Sequence, residues 1–275
     1  AASFGGGTDR HTPTIVTTDL MGTDIGYDVI TTNSRGIENL SNHLSADGNE
    51  NGDYTYSMNG TSAACPMAAG VVALMLEANP NLTLRDIRYI LAHTATQYNT
   101  FIPIDSTARR NGARLLFSHD VGFGGINTDS AIEMAKNFTL LGPEIVTVYY
   151  PPSPPEALII PPGDQQIREI DLPFNFIIEY VDINISIHHQ KPGDLELILT
   201  SPSGMQSYLS TRNGLLDTRS HRDIFENFHF GSNAFMDEES QSTSNKKWSL
   251  TIQNYSSNES ATLKKFQIRI NGRNL

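Results

Sequence analysis

One serine of this chain lies where a glycine-containing turn leads into the first turn of a helix. Residues 59–66 have the sequence Asn-Gly-Thr-Ser-Ala-Ala-Cys-Pro, and small and apolar residues follow as far as residue 74. Glycine allows a sharp turn and close approach by a substrate, while the free N–H groups at a helix start stabilise developing negative charge. We therefore predict that Ser62 is the nucleophile of an acyl-transfer enzyme, with Gly60 and Thr61 shaping the cleft. The alternative is that a Ser or Thr side chain caps an ordinary core helix.

The residues around Ser62 distinguish between families of serine hydrolases. The nucleophile elbow of α/β-hydrolases requires Gly-x-Ser-x-Gly, whereas the second residue after Ser62 is Ala64. The motif Gly-Thr-Ser-x-Ala-x-Pro at residues 60–66 instead resembles the serine box of the subtilisin-like serine proteases. The segments Ile-Val-Thr-Thr-Asp at residues 15–19 and Leu-Glu-Ala-Asn-Pro-Asn-Leu-Thr at residues 76–83 resemble the kexin/furin branch of that family.

A helix–turn–helix is predicted directly after the serine. A Pro/Asn turn at residues 79–81 separates the two helices, and Thr83 and Asp86 have the spacing of a capping box. The apolar residues predicted to share one face of the second helix are Leu84, Ile87, Ile90 and Leu91. A glycine-rich turn at residues 121–127 precedes a further predicted helix over residues 130–136, and this order is also similar to that of the subtilisin-like proteases.

The character of the sequence changes near residue 142. Several prolines occur between residues 151 and 162, and the segments after them have the alternating apolar pattern of half-buried antiparallel strands, notably at 248–252 and 266–270. This pattern predicts a β-sandwich. Residues 192–204, 248–254 and 263–272 resemble the P domain of kexin/furin proteases, which is a jelly roll.

The predicted organisation therefore has two domains. Residues 1–142 are expected to form the C-terminal part of an α/β subtilisin-like catalytic domain, which has a parallel sheet. Residues 143–275 are expected to form the all-β P domain. The chain, which has 275 residues, is long enough for two cores.

The chain lacks recognisable partners for the serine. In subtilisin-like proteases the triad follows the order Asp, His, Ser, so both partners should precede Ser62. The only histidines before Ser62 are His11 and His43, and neither lies in a His-Gly-Thr sequence like that of the catalytic histidine of the family. None of the aspartates before Ser62 has an Asp-[Ser/Thr]-Gly setting; they are Asp9, Asp19, Asp24, Asp28, Asp47 and Asp53. The resemblance implies that a missing N-terminal segment or chain carries the Asp, the His and the oxyanion-hole Asn.

A calcium cofactor is implied by the resemblance for the full protease, at residues upstream of this chain. Residues 47–53 match the opening of a calcium loop, but Met58 occupies the position of its closing glutamate, and a solvated acidic turn is the alternative. His188 and His189 are adjacent in a strand pattern and should point to opposite faces, which makes a poor metal clamp. No metal ligand is therefore assigned to this sequence.

The composition of the chain limits the classes of molecule that it is expected to bind. The net charge of −11 disfavours nucleic acid and is compatible with a basic polypeptide substrate. The single cysteine, Cys65, excludes an internal disulfide and is predicted to be a small buried residue. No membrane-spanning run and no signal peptide are expected in the chain. Length and composition fit a secreted protein, and the resemblance to kexin/furin proteases implies that the protein is secreted, or periplasmic in a bacterium.

Two functions follow from these observations. The first is a serine endopeptidase of the kexin/furin type that hydrolyses polypeptides after basic residues, with Asp and His supplied from outside this chain. The alternative is a catalytically incomplete fragment that acts through its P domain as a stabilising or partner-binding module.

Overall fold

The computed structural model of the chain describes residues 53–97, 108–150, 157–213 and 225–275, together with short pieces at 2–3, 5, 15–18, 20, 31–32 and 38–39. The chain divides into two compact units. The first unit contains Ala2–Pro80 and Thr128–Lys136, and the second contains Asn81–Asn127 and Asn137–Leu275. The boundaries of these units differ from the predicted domain boundary at residue 142. That domain boundary stays a prediction.

The first unit combines short antiparallel strands with two helices. Its elements are β1 (Ile15–Thr18), β2 (Thr31–Thr32), β3 (Glu38–Asn39), β4 (Tyr54–Met58), α1 (Thr61–Ala78) and α3 (Thr128–Lys136). Strand β1 pairs with β4 and β2 with β3, in both cases antiparallel. The parallel pairing expected for this part of the chain is not among the pairs that the described residues form. Helix α1 contacts α3, and the side-chain amide of Asn79 donates to the carbonyl of Ala135 at 3.0 Å.

Helix α1 is apolar, yet little of it is covered. Its mean hydropathy is 1.5, and its only buried residues are Ala63 and Met75. Leu74 is 44% exposed. By length and composition α1 could cross a membrane, although no such segment was expected from the sequence. Core helices of soluble proteins meet the same criteria, so this is weak evidence for a span.

The second unit begins with helix α2 (Leu84–His93). The predicted capping box is confirmed: the hydroxyl of Thr83 accepts from the backbone N–H of Asp86, and the Asp86 carboxylate accepts from the N–H of Thr83 at 2.7 Å. Of the four apolar residues placed on one face of this helix, Ile87 and Ile90 are buried and Leu91 is half-buried, whereas Leu84 is 64% exposed. Leu84 is the first residue of the helix. A hairpin follows, formed by β5 (Arg109–Arg110) and β6 (Leu116–Phe117).

The rest of the second unit is a β-sandwich. Its strands are β7 (Ile145–Tyr149), β8 (Leu158–Ile160), β9 (Gln165–Ile170), β10 (Ile177–His188), β11 (Leu195–Thr200), β12 (Gln206–Ser210), β13 (Phe225–Ser232), β14 (Trp248–Asn254) and β15 (Ala261–Arg273). One sheet has the order β13-β10-β15-β7, with β8 also paired to β15, and the other has the order β12-β11-β14-β9. All of these pairs are antiparallel.

The two sheets enclose one apolar core. The predicted alternation is confirmed on β14, where Trp248, Leu250 and Ile252 are all fully buried. The indole N–H of Trp248 donates to the carbonyl of Ser240 at 2.9 Å, and its ring meets Phe235 edge to face. Burying large apolar side chains supplies most of the favourable free energy of folding, so this unit contains its own source of stability.

Helix α2 is held within this unit by an ion-pair network. Arg85 forms a bidentate pair with Glu179 of β10, with both N–O distances at 2.7 Å. Arg273 of β15 lies 3.5 Å from Glu179 and donates to Asp237 at 2.7 Å. At the other end of α2, the Nε2 atom of His93 lies 2.6 Å from the Asp237 carboxylate.

Candidate functional site

The turn between β4 and α1 depends on a glycine. Gly60 has φ 86° and ψ −176°, a conformation that is essentially restricted to glycine. An added Cβ would meet no atom within 4 Å, so the requirement comes from the backbone conformation and not from lack of space. This turn brings the chain from the last strand residue, Met58, to the first helical residue, Thr61, in two residues.

Ser62 is the second residue of α1 and is exposed. The carbonyl of Gly60 accepts from the N–H groups of Ala63 at 3.0 Å and Ala64 at 3.2 Å. The N–H groups of Thr61 and Ser62 precede these bonds and belong to the helix start, where unpaired donors attract negative charge. The N-cap is Gly60, and no side chain caps the helix. The alternative prediction that a Ser or Thr side chain caps this helix is therefore wrong.

The residues that could activate Ser62 are only partly described. His11, His43 and the first five of the aspartates considered above lie outside the described residues. Asp53, directly before β4, is described, and its Oδ1 atom is buried without a hydrogen-bond partner among the described residues. Within the described part of the chain, no histidine or carboxylate forms a hydrogen bond with Ser62.

No metal centre is formed by the described residues, since they contain no group of three or more His, Cys, Asp or Glu side chains that could hold an ion. His188, the last residue of β10, is exposed, and His189, which follows the strand, is buried. The calcium-loop candidate at 47–53 lies outside the described residues except for its last member, Asp53. Cys65 is exposed, so the prediction that it is buried is wrong. The described residues cover little of the surface of α1, and only Ala63 and Met75 of this helix are buried.

Sequence reasoning did not find the charged residues that fix α2. Burial disfavours the charged form of Asp237, but hydrogen bonds from His93 and Arg273 outweigh burial and lower its pKa. Arg85 and Glu179 are 94 residues apart in the sequence. Pairs this distant leave no periodic signal, so only the tertiary structure identifies them.

Comparisons with known proteins agree on both parts of the chain. The sequence profile of the Subtilase family matches residues 11–124, which include Ser62, and that of the proprotein convertase P-domain matches residues 178–270.

The relatives are longer than this chain. An extracellular serine protease of Aeromonas sobria is 32% identical over 230 residues, which cover 76% of this chain and 36% of the relative. Furin-1 of Xenopus laevis is 32% identical over 231 residues, which cover 79% of this chain and 27% of the relative. The chain thus spans about a third of the length of these proteins.

A solved structure gives the same result for the fold. The Aeromonas sobria serine protease in complex with a chaperone superposes with a TM-score of 0.77 at 25% identity, covering 98% of this chain and 53% of that one. The predicted fold class, a subtilisin-like part followed by a β-sandwich P domain, is confirmed. The chain belongs to the subtilisin-like serine proteases, in the kexin/furin branch that carries a P domain.

Proposed function

We propose that the complete protein is a secreted serine endopeptidase of the kexin/furin type and that Ser62 is its nucleophile. The observation that carries the proposal is the position of Ser62 at the exposed start of α1, directly after the positive-φ Gly60, inside the segment that matches the Subtilase family. The protease names of the relatives support the class of activity.

The proposed chemistry is acyl transfer. Ser62 Oγ attacks the scissile carbonyl, its proton passes to a histidine, and the N–H of Ser62 supports the negative oxygen that forms. The histidine then gives this proton to the leaving amine as the peptide C–N bond breaks, and water hydrolyses the resulting acyl ester and restores the Ser62 hydroxyl. The Asp, the His and the oxyanion Asn come from a segment outside this chain, which accords with the chain's share of its relatives' length.

Several finer properties are proposed on resemblance. The enzyme cleaves after basic residues, and an acidic protein with a net charge of −11 attracts such substrates. The full protease binds calcium, through no residue assigned in this chain. Secretion, or export to a periplasm, follows from relatives such as the extracellular Aeromonas protease.

A second candidate is a non-catalytic role for the P domain. It is favoured by the fully enclosed core of the sandwich, where Trp248 and Phe235 are completely buried. Such a unit can stabilise or bind another protein region without chemistry at Ser62.

An active-site label tests the first proposal. In the full-length protein, a fluorophosphonate should modify Ser62 and no other serine, and Ser62→Ala should abolish both labelling and peptidase activity. Ser130→Ala, an exposed serine on α3, is the matched control and should retain both. Labelling that survives Ser62→Ala would remove Ser62 from the mechanism, and a full-length protein that never labels would favour the second candidate.

A further inference from the structure

The chain contains its own paired basic residues. They are Arg109–Arg110, Lys246–Lys247 and Lys264–Lys265, and a protease directed to basic residues cleaves after the second member of such a pair. Proteolysis requires local opening, because a cleft binds several residues of unpaired chain. The three pairs therefore differ in susceptibility according to what holds the residue after each pair.

The first pair offers accessible side chains but a closed peptide bond. Arg109 and Arg110 are both exposed and form the whole of β5. The next residue, Asn111, is 5% exposed. The N–H of Asn111, which belongs to the scissile bond, donates to the carbonyl of Leu115 at 2.9 Å, and its own carbonyl accepts from Arg114. The bond after Arg110 thus lies inside a hairpin turn.

The side chain of Asn111 fastens this turn to the sandwich. Its amide nitrogen donates to the carbonyls of Ala234 at 3.1 Å and Met236 at 2.8 Å. Its amide oxygen accepts from the N–H groups of Ala113 and Leu115, each at 3.0 Å. An amide side chain has two donor and two acceptor positions, and all four are occupied here.

A second attachment lies one residue further along. The N–H of Gly112 donates to the Glu238 carboxylate at 2.7 Å, and Ser203 Oγ donates to the same oxygen at 2.8 Å. A Cβ at Gly112 would approach the Ser203 Cβ to 2.8 Å, so the turn lies directly against the sandwich loops. Glu238 is 3% exposed, and a buried hydrogen-bonded group is costly to release.

We propose that Arg110–Asn111 is a latent cleavage site for basic-directed proteases, and that the Asn111 and Gly112 attachments to the sandwich keep it closed. On cleavage, water adds across the peptide bond and leaves a carboxylate on Arg110 and an amine on Asn111. We call the Asn111 and Gly112 attachments the lock, and the lock does not depend on the activity of this protein. Self-cleavage at the site in trans rests on the proposed function.

The other two pairs are closed by the sandwich itself. Lys247 precedes Trp248, which is fully buried in the core. Lys264–Lys265 lies within β15, where Lys265 and the next residue, Phe266, pair with β10. Opening either bond requires disruption of a sheet, whereas opening the bond after Arg110 requires only the release of one turn. Cleavage after Lys247 or Lys265 therefore indicates that the whole sandwich has unfolded.

Limited digestion of the full chain with trypsin, followed by mass analysis of the products, tests the lock. Wild-type protein should be cut slowly at Arg110–Asn111. Asn111→Ala and, independently, Glu238→Ala should increase cutting at this bond at least about tenfold, since proteolysis follows the open population, with no change after Lys247 or Lys265. Adding Arg110→Gln to Asn111→Ala should abolish the new product.

Two results would overturn the proposal. One is rapid cutting of the wild type at Arg110–Asn111. The other is cutting at all three pairs together, or at none of them, in both variants. A further digestion mixes the Asn111→Ala chain with the complete enzyme or with its Ser62→Ala form. If trypsin cuts and the complete enzyme does not, the lock stands and the proposed basic specificity fails.

Discussion

Two consecutive helices of this chain are stabilised in opposite ways. Helix α1 carries Ser62 and has 18 residues, of which only Ala63 and Met75 are buried. Helix α2 has 10 residues, of which Asp86, Ile87, Ile90 and Ala92 are buried. The apolar helix is thus the exposed one, and the helix with the charged residues is the integrated one.

The difference lies in what each unit supplies. The second unit offers α2 a small apolar cluster, in which Ala92 packs with Phe123 and Met236. It also offers Glu179 and Asp237, which pair with the charged residues of α2. The described residues of the first unit offer α1 little beyond α3. We therefore expect α1, the helix that carries Ser62, to gain its stability from surfaces outside the described residues, while the sandwich unit is stable by itself.

The largest contrast should come from apolar deletions. Trp248→Ala should destabilise the sandwich by about 3–5 kcal/mol, because it removes a fully buried side chain and leaves a cavity. Leu74→Ala in α1, at 44% exposure, should cost less than about 1 kcal/mol. Urea denaturation of the chain followed by circular dichroism measures both. Equal losses would contradict the comparison.

The ion-pair network should give the next largest effect. Glu179→Ala leaves Arg85 and Arg273 without their shared carboxylate and should cost about 3 kcal/mol, because breaking a buried pair strands its partner. Glu133→Ala breaks the exposed pair with Lys136 on α3 and should cost less than about 0.5 kcal/mol. Hydrogen exchange should show faster opening of α2 only in the Glu179 variant, and unchanged protection there would refute the role of the network.

The turn before Ser62 provides a glycine pair for comparison. Gly60→Ala forces alanine into a positive-φ conformation and should cost about 1–3 kcal/mol and slow labelling of Ser62 in the full-length protein. Gly70→Ala inside α1 also has open space around its Cβ, and it should instead stabilise by up to about 1 kcal/mol. If both substitutions act alike, the special backbone of Gly60 is not what matters.

The smallest predicted effect depends on pH. Burial disfavours the charged form of Asp86, but hydrogen bonds from Thr83 and Leu141 outweigh it and lower the pKa of this carboxyl. A lowered pKa stabilises the fold above the ordinary aspartate value of about 4, and this stability is lost as the pH falls through the folded-state pKa.

Asp86→Asn should therefore cost about 1 kcal/mol at neutral pH and lose less stability than the wild type on acidification. Melting temperatures measured from pH 7 downward test this, with the exposed Asp129→Asn of α3 as the control. Parallel acid curves for Asp86→Asn and wild type would contradict the assignment.

Features that arise within a few residues were predictable from the sequence. The capping box at Thr83 and Asp86 needs only a spacing of three residues, and the alternation on β14 needs only the period of a strand. The proposal that Ser62 is a nucleophile likewise depends on its immediate neighbours. In each case the physical cause is local hydrogen bonding or side-chain periodicity, which is written directly in the order of residues.

Contacts between distant segments were decided by the tertiary structure alone. The sequence around Asn111 does not indicate that its side-chain amide forms four hydrogen bonds. The ion pair between Arg85 and Glu179 joins residues that are 94 positions apart in the sequence. The predicted burial of Cys65 was wrong for the same reason. Periodicity says which side of a helix is apolar, but whether another surface covers that side depends on how remote parts of the chain pack.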